Sequence, residues 1–171
     1  MTPVVVLVGA PGAGKTTVAR RLADRLGTSV RDTDVDVERS TGSSVQDLFV
    51  EHGEAHFREL EAAAVASALQ EHDGVLALGG GAVLHPGTQR LLREQRVVFL
   101  DVSLSAAAQR VGLGTNRPLL FGNVRATMKA LLDARRPVYE DLATHTVVTD
   151  DLTADDVAAR IHQLIQENAT P

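Results

Sequence analysis

The stretch Gly9-Ala10-Pro11-Gly12-Ala13-Gly14-Lys15-Thr16-Thr17 follows the apolar run Val4 to Val8 and leads into a helical pattern that stops at Gly27. Its spacing, G-x-x-x-x-G-K-T from Gly9 to Thr16, is that of a phosphate-binding loop, and its flanks supply the strand and the helix that such a loop requires. Glycines let successive backbone N–H groups turn inward on phosphate oxygens, and the helix N-terminus adds its positive end. On this reading Gly12, Ala13, Gly14, Lys15, Thr16 and Thr17 wrap the phosphates of a nucleoside triphosphate. Lys15 reaches the β- and γ-phosphates, and the Thr16 hydroxyl holds Mg²⁺. A chance glycine-rich turn is the alternative, but lysine is scarce here, occurring only at Lys15 and Lys129.

Outward from the loop, β-branched apolar runs recur at Val4–Val8, Ser29–Asp32, Val75–Leu78, Val97–Val102 and Thr146–Val148, with helical patterns between most of them. That alternation reads as an α/β fold, a parallel sheet wrapped by helices. Helices are expected over Lys15–Leu26, over the alanine-rich Glu54–Glu71, after a cap at Ser103 or Ser105 as far as Val111, and after Thr153, a natural N-cap followed by carboxylates. Gly112 to Asn123, with a glycine near each end and Arg117-Pro118 in the middle, reads as a hinged flap.

The 171 residues suit one domain. With 44% hydrophobic and 23% charged residues the composition is that of a globular chain, and 3% aromatics leave the core to Val, Leu and Ala. A net charge of −5 offers no chain-wide basic footprint for nucleic acid, so any bound anion must be met by local charge. The absence of cysteine excludes disulfides and thiolate metal sites and suits a reducing cytoplasm. Val4–Val8 is too short for a membrane span, so no membrane partner is expected.

The acidic and basic residues decide what the nucleotide does. Asp32 and Asp34 follow the second strand, and if the strand continues their side chains share one face near the phosphate loop. One would order Mg²⁺ through water while the other takes a proton from an acceptor hydroxyl. The alternative is a solvated acidic turn in which Asp34 caps a helix. Gly79, Gly80 and Gly81 close the strand Val75–Leu78, and three glycines there imply a close approach to the backbone. Arg58, Arg117 and Arg136 are the candidate cations. Arg117 lies in the flap, and Arg136 precedes Pro137, where a helix is expected to end and a side chain to project beyond its tip.

Together, "GAPGAGKTT", "DTD" from Asp32, "FRELE" from Phe57, "LGGGAV" from Leu78, "TNRPLL" from Thr115 and "RRPVYEDLA" from Arg135 resemble the shikimate kinase family, of actinobacterial type. The similarity runs from Val4 to about His162. It implies a five-stranded parallel sheet of nucleoside-monophosphate-kinase type, a shikimate-binding region over about 33–61, a mobile lid over about 112–123 and a monomer. It also implies Mg²⁺-dependent transfer of the ATP γ-phosphoryl group to the 3-hydroxyl of shikimate, in aromatic amino-acid biosynthesis. Carried over by position, Lys15 meets phosphate and transition-state charge, Thr16 holds Mg²⁺, Asp32 orders its water shell and Asp34 is the base. Arg58, Arg136 and the backbone around Gly79, Gly80 and Gly81 hold shikimate, with Phe49, Phe57 and Glu61 shaping the pocket. Arg117 is the lid arginine at the γ-phosphate, and Arg110 stacks on adenine.

Rival readings fit less of the chain. "VVFLD", ending in Asp101, imitates the metal-binding strand of motor ATPases, but would leave the paired aspartates, triple glycine and flap unexplained. No Asn-Lys-x-Asp motif of a GTPase is present. A kinase for another polyol such as gluconate, or a non-catalytic nucleotide-binding regulator, shares the loop and the fold. His52 and His56, four apart, invite a zinc site, but Gly53 argues against helix between them.

Overall fold

The computed structural model describes residues 2–110 and 118–169; the side chains at 110, 118–124 and 169 lie outside that description. Five strands, β1 (Val5–Val8), β2 (Val30–Asp32), β3 (Val75–Ala77), β4 (Val97–Asp101) and β5 (His145–Val148), form one sheet in the order β2-β3-β1-β4-β5. All four pairings are parallel. The helices are α1 (Lys15–Leu26), α2 (Thr33–Thr41), α3 (Val45–Glu71), α4 (Pro86–Leu92), α5 (Leu104–Arg110), α6 (Pro118–Leu142) and α7 (Ala154–Ala169).

Buried on both faces, β1 needs apolar residues at every position and is fully buried throughout. Val5 and Leu7 point into a core shared with Val18 and Leu22 of α1 and Val157 and Ile161 of α7. Val6 and Val8 point oppositely, toward Val65 and Leu69 of α3, Leu92 of α4 and Tyr139 of α6. The result is a three-layer sandwich, the helix-wrapped parallel sheet expected from the sequence. Because β1 lies between β3 and β4, the chain crosses to one side of it and later to the other, which makes the C-terminal end of β1 the switch point where ligands bind in such sheets. The phosphate-loop stretch leaves the sheet there. Its Gly14, at φ 85°, adopts the left-handed conformation that starts α1.

Capping works largely as read. Ser103 accepts from the Ala106 N–H at 3.1 Å, whereas Ser105 accepts from Arg125. Thr153 and Asp156 cap each other's backbone N–H at 3.1 Å.

Four expectations change. β2 ends at Asp32, so Asp34 stands in the first turn of α2 and not on a continued strand; Asp32 is the cap, accepting the Asp34 N–H at 2.9 Å. Helix also precedes the alanine-rich segment: α3 begins at Val45, capped by Ser44, and bends at Gly53, whose φ 82° and ψ 169° are non-helical. Of the expected flap, residues 112–117 lie outside the described chain, and from Pro118 onward the backbone is already α6, with proline at the position it favours. Finally, Pro137 sits inside α6, which runs on to Leu142, so Arg136 is not at a helix tip.

Candidate active site

The loop, the start of α2 and the end of β3 enclose a cleft of about 550 Å³ lined by Gly12, Lys15, Thr16, Asp32, Asp34, Gly79 and their neighbours. Lys15 Nζ donates to the carbonyls of Gly9 (2.6 Å) and Ala10 (3.0 Å), which braces the loop around its own cation. Desolvation pulls its pKa down to about 8, against the charges of Asp34 and Asp32, which raise it. The Thr16 hydroxyl donates to Asp32 Oδ2 at 3.3 Å, so two hard oxygen donors meet on the phosphate side of the cleft.

The pKa of the Asp34 carboxylate is raised well above its usual value. Burial, and then the negative charges of Asp32 and Glu61, push its pKa up to about 6 despite Lys15. Helix geometry, not strand alternation, separates the two carboxylates read from the sequence. The Asp32 carboxylate is held by the Asp34 N–H and the Thr16 hydroxyl, while that of Asp34 faces Gly79.

The triple glycine has a steric reason. A Cβ at Gly79 would lie 2.7 Å from Asp34 Oδ1 and 2.8 Å from Glu61 Oε2; one at Gly80 would lie 2.9 Å from Pro11 Cδ and 3.4 Å from Arg135 Nη1; one at Gly81 would strike the Arg58 guanidinium. The close approach inferred from the sequence is made by this ring of charged side chains. Arg58 Nη1 donates to Glu61 Oε1 at 2.7 Å, and Glu61 is almost wholly buried, which raises its pKa against the lowering effect of Arg58. Arg58 also lies over the rings of Phe49 and Phe57, at 5.7 and 5.4 Å, and those rings stand 4.7 Å apart across the Gly53 bend. Phe49, Phe57, Arg58 and Glu61 thus come together as expected.

Arg136 does not join them. Its guanidinium makes an ion pair with Asp101 at the end of β4, which also occupies the carboxylate of the rival ATPase reading. Arg135 takes its place: it is 8% exposed and one Nη lies beside Gly80. Tyr139, one turn further on, donates its hydroxyl to the Gly80 carbonyl. Because the helix continues through Pro137, residues 135 and 136 project about 100° apart. Leu132, Arg135, Tyr139 and Leu142 form one buried stripe at helical spacing with arginine its one charged member, a stripe that exists only because the helix runs on through Pro137.

Of the remaining expected residues, Arg117 and the side chain of Arg110 lie outside the description, although the Arg110 backbone ends α5. A smaller cavity of about 210 Å³, not anticipated from the sequence, adjoins the loop between Gly14, Thr17 and Val18 on one side and Thr149, Leu152 and Val157 on the other. It lies by the turn holding Asp151, the one non-glycine residue of positive φ (62°) among the described residues. Gly53 does interrupt the helix between His52 and His56, yet the bend folds their rings to 4.9 Å. No group of three or more His, Asp or Glu side chains arranged to hold a metal occurs among the described residues. No described helix is long and apolar enough to cross a membrane.

A phosphate loop at the switch point of a five-stranded parallel sheet, with paired carboxylates beyond it and arginines across the cleft, defines a P-loop kinase of nucleoside-monophosphate-kinase type. The comparisons narrow that class. The shikimate kinase family model matches residues 11–166. Shikimate kinases of Salinispora tropica and Saccharopolyspora erythraea are 55% and 56% identical to it, covering 96% and 94% of this chain and 99% and 93% of theirs. The shikimate kinase of Acinetobacter baumannii, solved in complex with shikimate, superposes with a TM-score of 0.91 at 36% identity, over 100% of this chain and 97% of that one. The chain belongs to the shikimate kinase family.

Proposed function

We propose that this enzyme transfers the ATP γ-phosphoryl group to the 3-hydroxyl of shikimate, giving shikimate 3-phosphate and ADP. The observation that carries the reading is the meeting, around Gly79–Gly81, of Asp34 with two arginines of opposite origin, Arg58 of α3 and Arg135 of α6, beside the loop bearing Lys15. Shikimate is a carboxylate bearing three hydroxyls, and such a molecule asks for guanidinium groups at one end and a carboxylate at the other. Arg58 and Arg135 grip the acceptor carboxylate, the Gly80 and Gly81 backbone and Glu61 border it, and Phe49 and Phe57 wall it. Asp34, at about pH 7, is ionised but only about a unit above its pKa, the range suited to a general base.

In the reaction Asp34 takes the proton of the 3-hydroxyl. The freed oxygen bonds to the γ-phosphorus as the bond from that phosphorus to the β,γ-bridging oxygen breaks, and ADP leaves with the electron pair. Lys15 meets the charge on the transferring group. Thr16 and, through water, Asp32 are suited to Mg²⁺, which when bound neutralises charge on the β- and γ-phosphates. The cavity at Thr149–Leu152 is of a size and position for the adenine, with Arg110 stacked on it, and Arg117 in a lid over about 112–123 closes on the γ-phosphate. The region over about 33–61 serves the acceptor within one domain. The enzyme is expected to be a cytoplasmic monomer that binds neither nucleic acid nor membrane.

The test is ADP release with ATP and Mg²⁺ against shikimate, quinate, gluconate, nucleoside monophosphates and water. Shikimate should stand alone. Equal release with water would make the chain a hydrolase, and preference for gluconate would reassign the acceptor.

A further inference from the structure

A third cavity, about 300 Å³, lies between the phosphate loop and α6. Ala10 and Pro11 form one wall and Met128, Leu131 and Leu132 another, and Arg135 is the one charged residue among those lining it. Pro11 also lines the phosphate cleft, and Pro11 and Arg135 close together on Gly80, so the cavity and the acceptor site share a boundary. Arg135 is more than nine-tenths buried, and its Nε is buried with no hydrogen-bond partner. A buried guanidinium N–H left without an acceptor is costly, so an oxygen acceptor belongs there.

Walls that are apolar but for Thr127, and one buried cation, define the ligand chemistry. A polyhydroxylated acid would leave its hydroxyls unpaired against Met128 and Leu132, whereas an acid with an apolar body would not. We infer that this cavity binds small monocarboxylates with an arene-sized apolar body, the carboxylate on Arg135 and the body between Pro11 and the Met128–Leu132 face of α6. This rests on the acceptor role of Arg135 given above. A bound acid takes that guanidinium from shikimate, so it competes with shikimate and leaves ATP binding alone.

The probe is 3-phenylpropanoate, with 3-phenylpropan-1-ol as its neutral counterpart. Binding is read by saturation-transfer NMR and inhibition by steady-state kinetics. The acid should raise the apparent KM for shikimate without changing kcat, and the alcohol should bind at least about tenfold more weakly. Filling the cavity by Met128→Trp or, at the more exposed Leu131, by Leu131→Trp should weaken the acid at least about tenfold while shikimate KM stays within about twofold. Equal binding of acid and alcohol, inhibition competitive with ATP, or an acid affinity untouched in a folded, active Leu131→Trp variant would overturn the inference. If shikimate itself is not phosphorylated, the acceptor reading falls; if it is and the acid neither binds nor competes, this inference alone falls.

Discussion

Asp34 and Lys15 share one cleft with pKa values displaced toward each other, about 6 and about 8, and their proposed roles predict the pH behaviour. A base must be ionised and a phosphate-binding lysine protonated, so kcat/KM should rise through about pH 6 and fall through about pH 8. A profile flat from pH 5 to 9 would remove Asp34 from the chemistry. Asp34→Asn should lower kcat at least ~10²-fold with little change in KM for ATP, and should move the alkaline limb down because Lys15 loses a stabilising charge. The same substitution should stabilise the fold. The Asp34 pKa is raised above its usual 3.8, so the folded state keeps the proton longer than the unfolded one, stability declines as pH climbs from about 4 to about 6, and above that the whole penalty applies. Allowing for partial exposure, the variant should gain about 2 kcal/mol in urea denaturation at pH 7 and nothing at pH 3. The arginines make a sharper test: Arg135→Ala should raise shikimate KM on the order of 10²-fold, whereas Arg136→Ala, which breaks the pair with Asp101, should change it less than about tenfold. The reverse order would restore Arg136 to the acceptor site.

At the scale of elements, the bend in α3 matters most. Gly53 holds φ 82° and ψ 169°, a region closed to residues with a Cβ, and it folds Phe49 back onto Phe57 beneath Arg58. Gly53→Ala should therefore cost about 1–3 kcal/mol of stability and raise KM for shikimate more than for ATP. Equal effects on both would mean that the bend does not shape the acceptor pocket. Here the sequence was half legible. The alanine-rich segment and its break at Gly53 could be read directly, but in Val45–His52 the helical spacing of Val45, Leu48 and Phe49 spans barely one turn, and it shows as a helix face only once these residues pack with Val37 and Phe57. The start of α2 was hidden too, since "DTD" suits an extended strand as well as a capped helix until Asp32 is seen to bond the Asp34 N–H.

Across the whole molecule, one sheet holds both half-sites. On the proposed function the nucleotide would touch the phosphate loop, α1 and the turn at Thr149–Leu152, and the acceptor α2, α3, the end of β3 and α6, so each ligand would brace several elements against the unfolded state. Shikimate at about 100 times its Kd should add about 2.7 kcal/mol of stability, read as a rise in Tm. That rise should shrink markedly in Arg135→Ala and persist in Arg136→Ala.

The phosphate loop, the five strands, the caps at Gly27, Ser103 and Thr153 and the identity of the paired aspartates were determined by the sequence alone. Each rests on neighbours within a few residues, where spacing and backbone chemistry leave little choice. Which arginine of the Arg135-Arg136 pair enters the site was decided only by the tertiary structure. Adjacent residues on a helix are chemically alike but about 100° apart, and the packing of Leu132 and Tyr139 against the sheet fixes which of them faces Gly80.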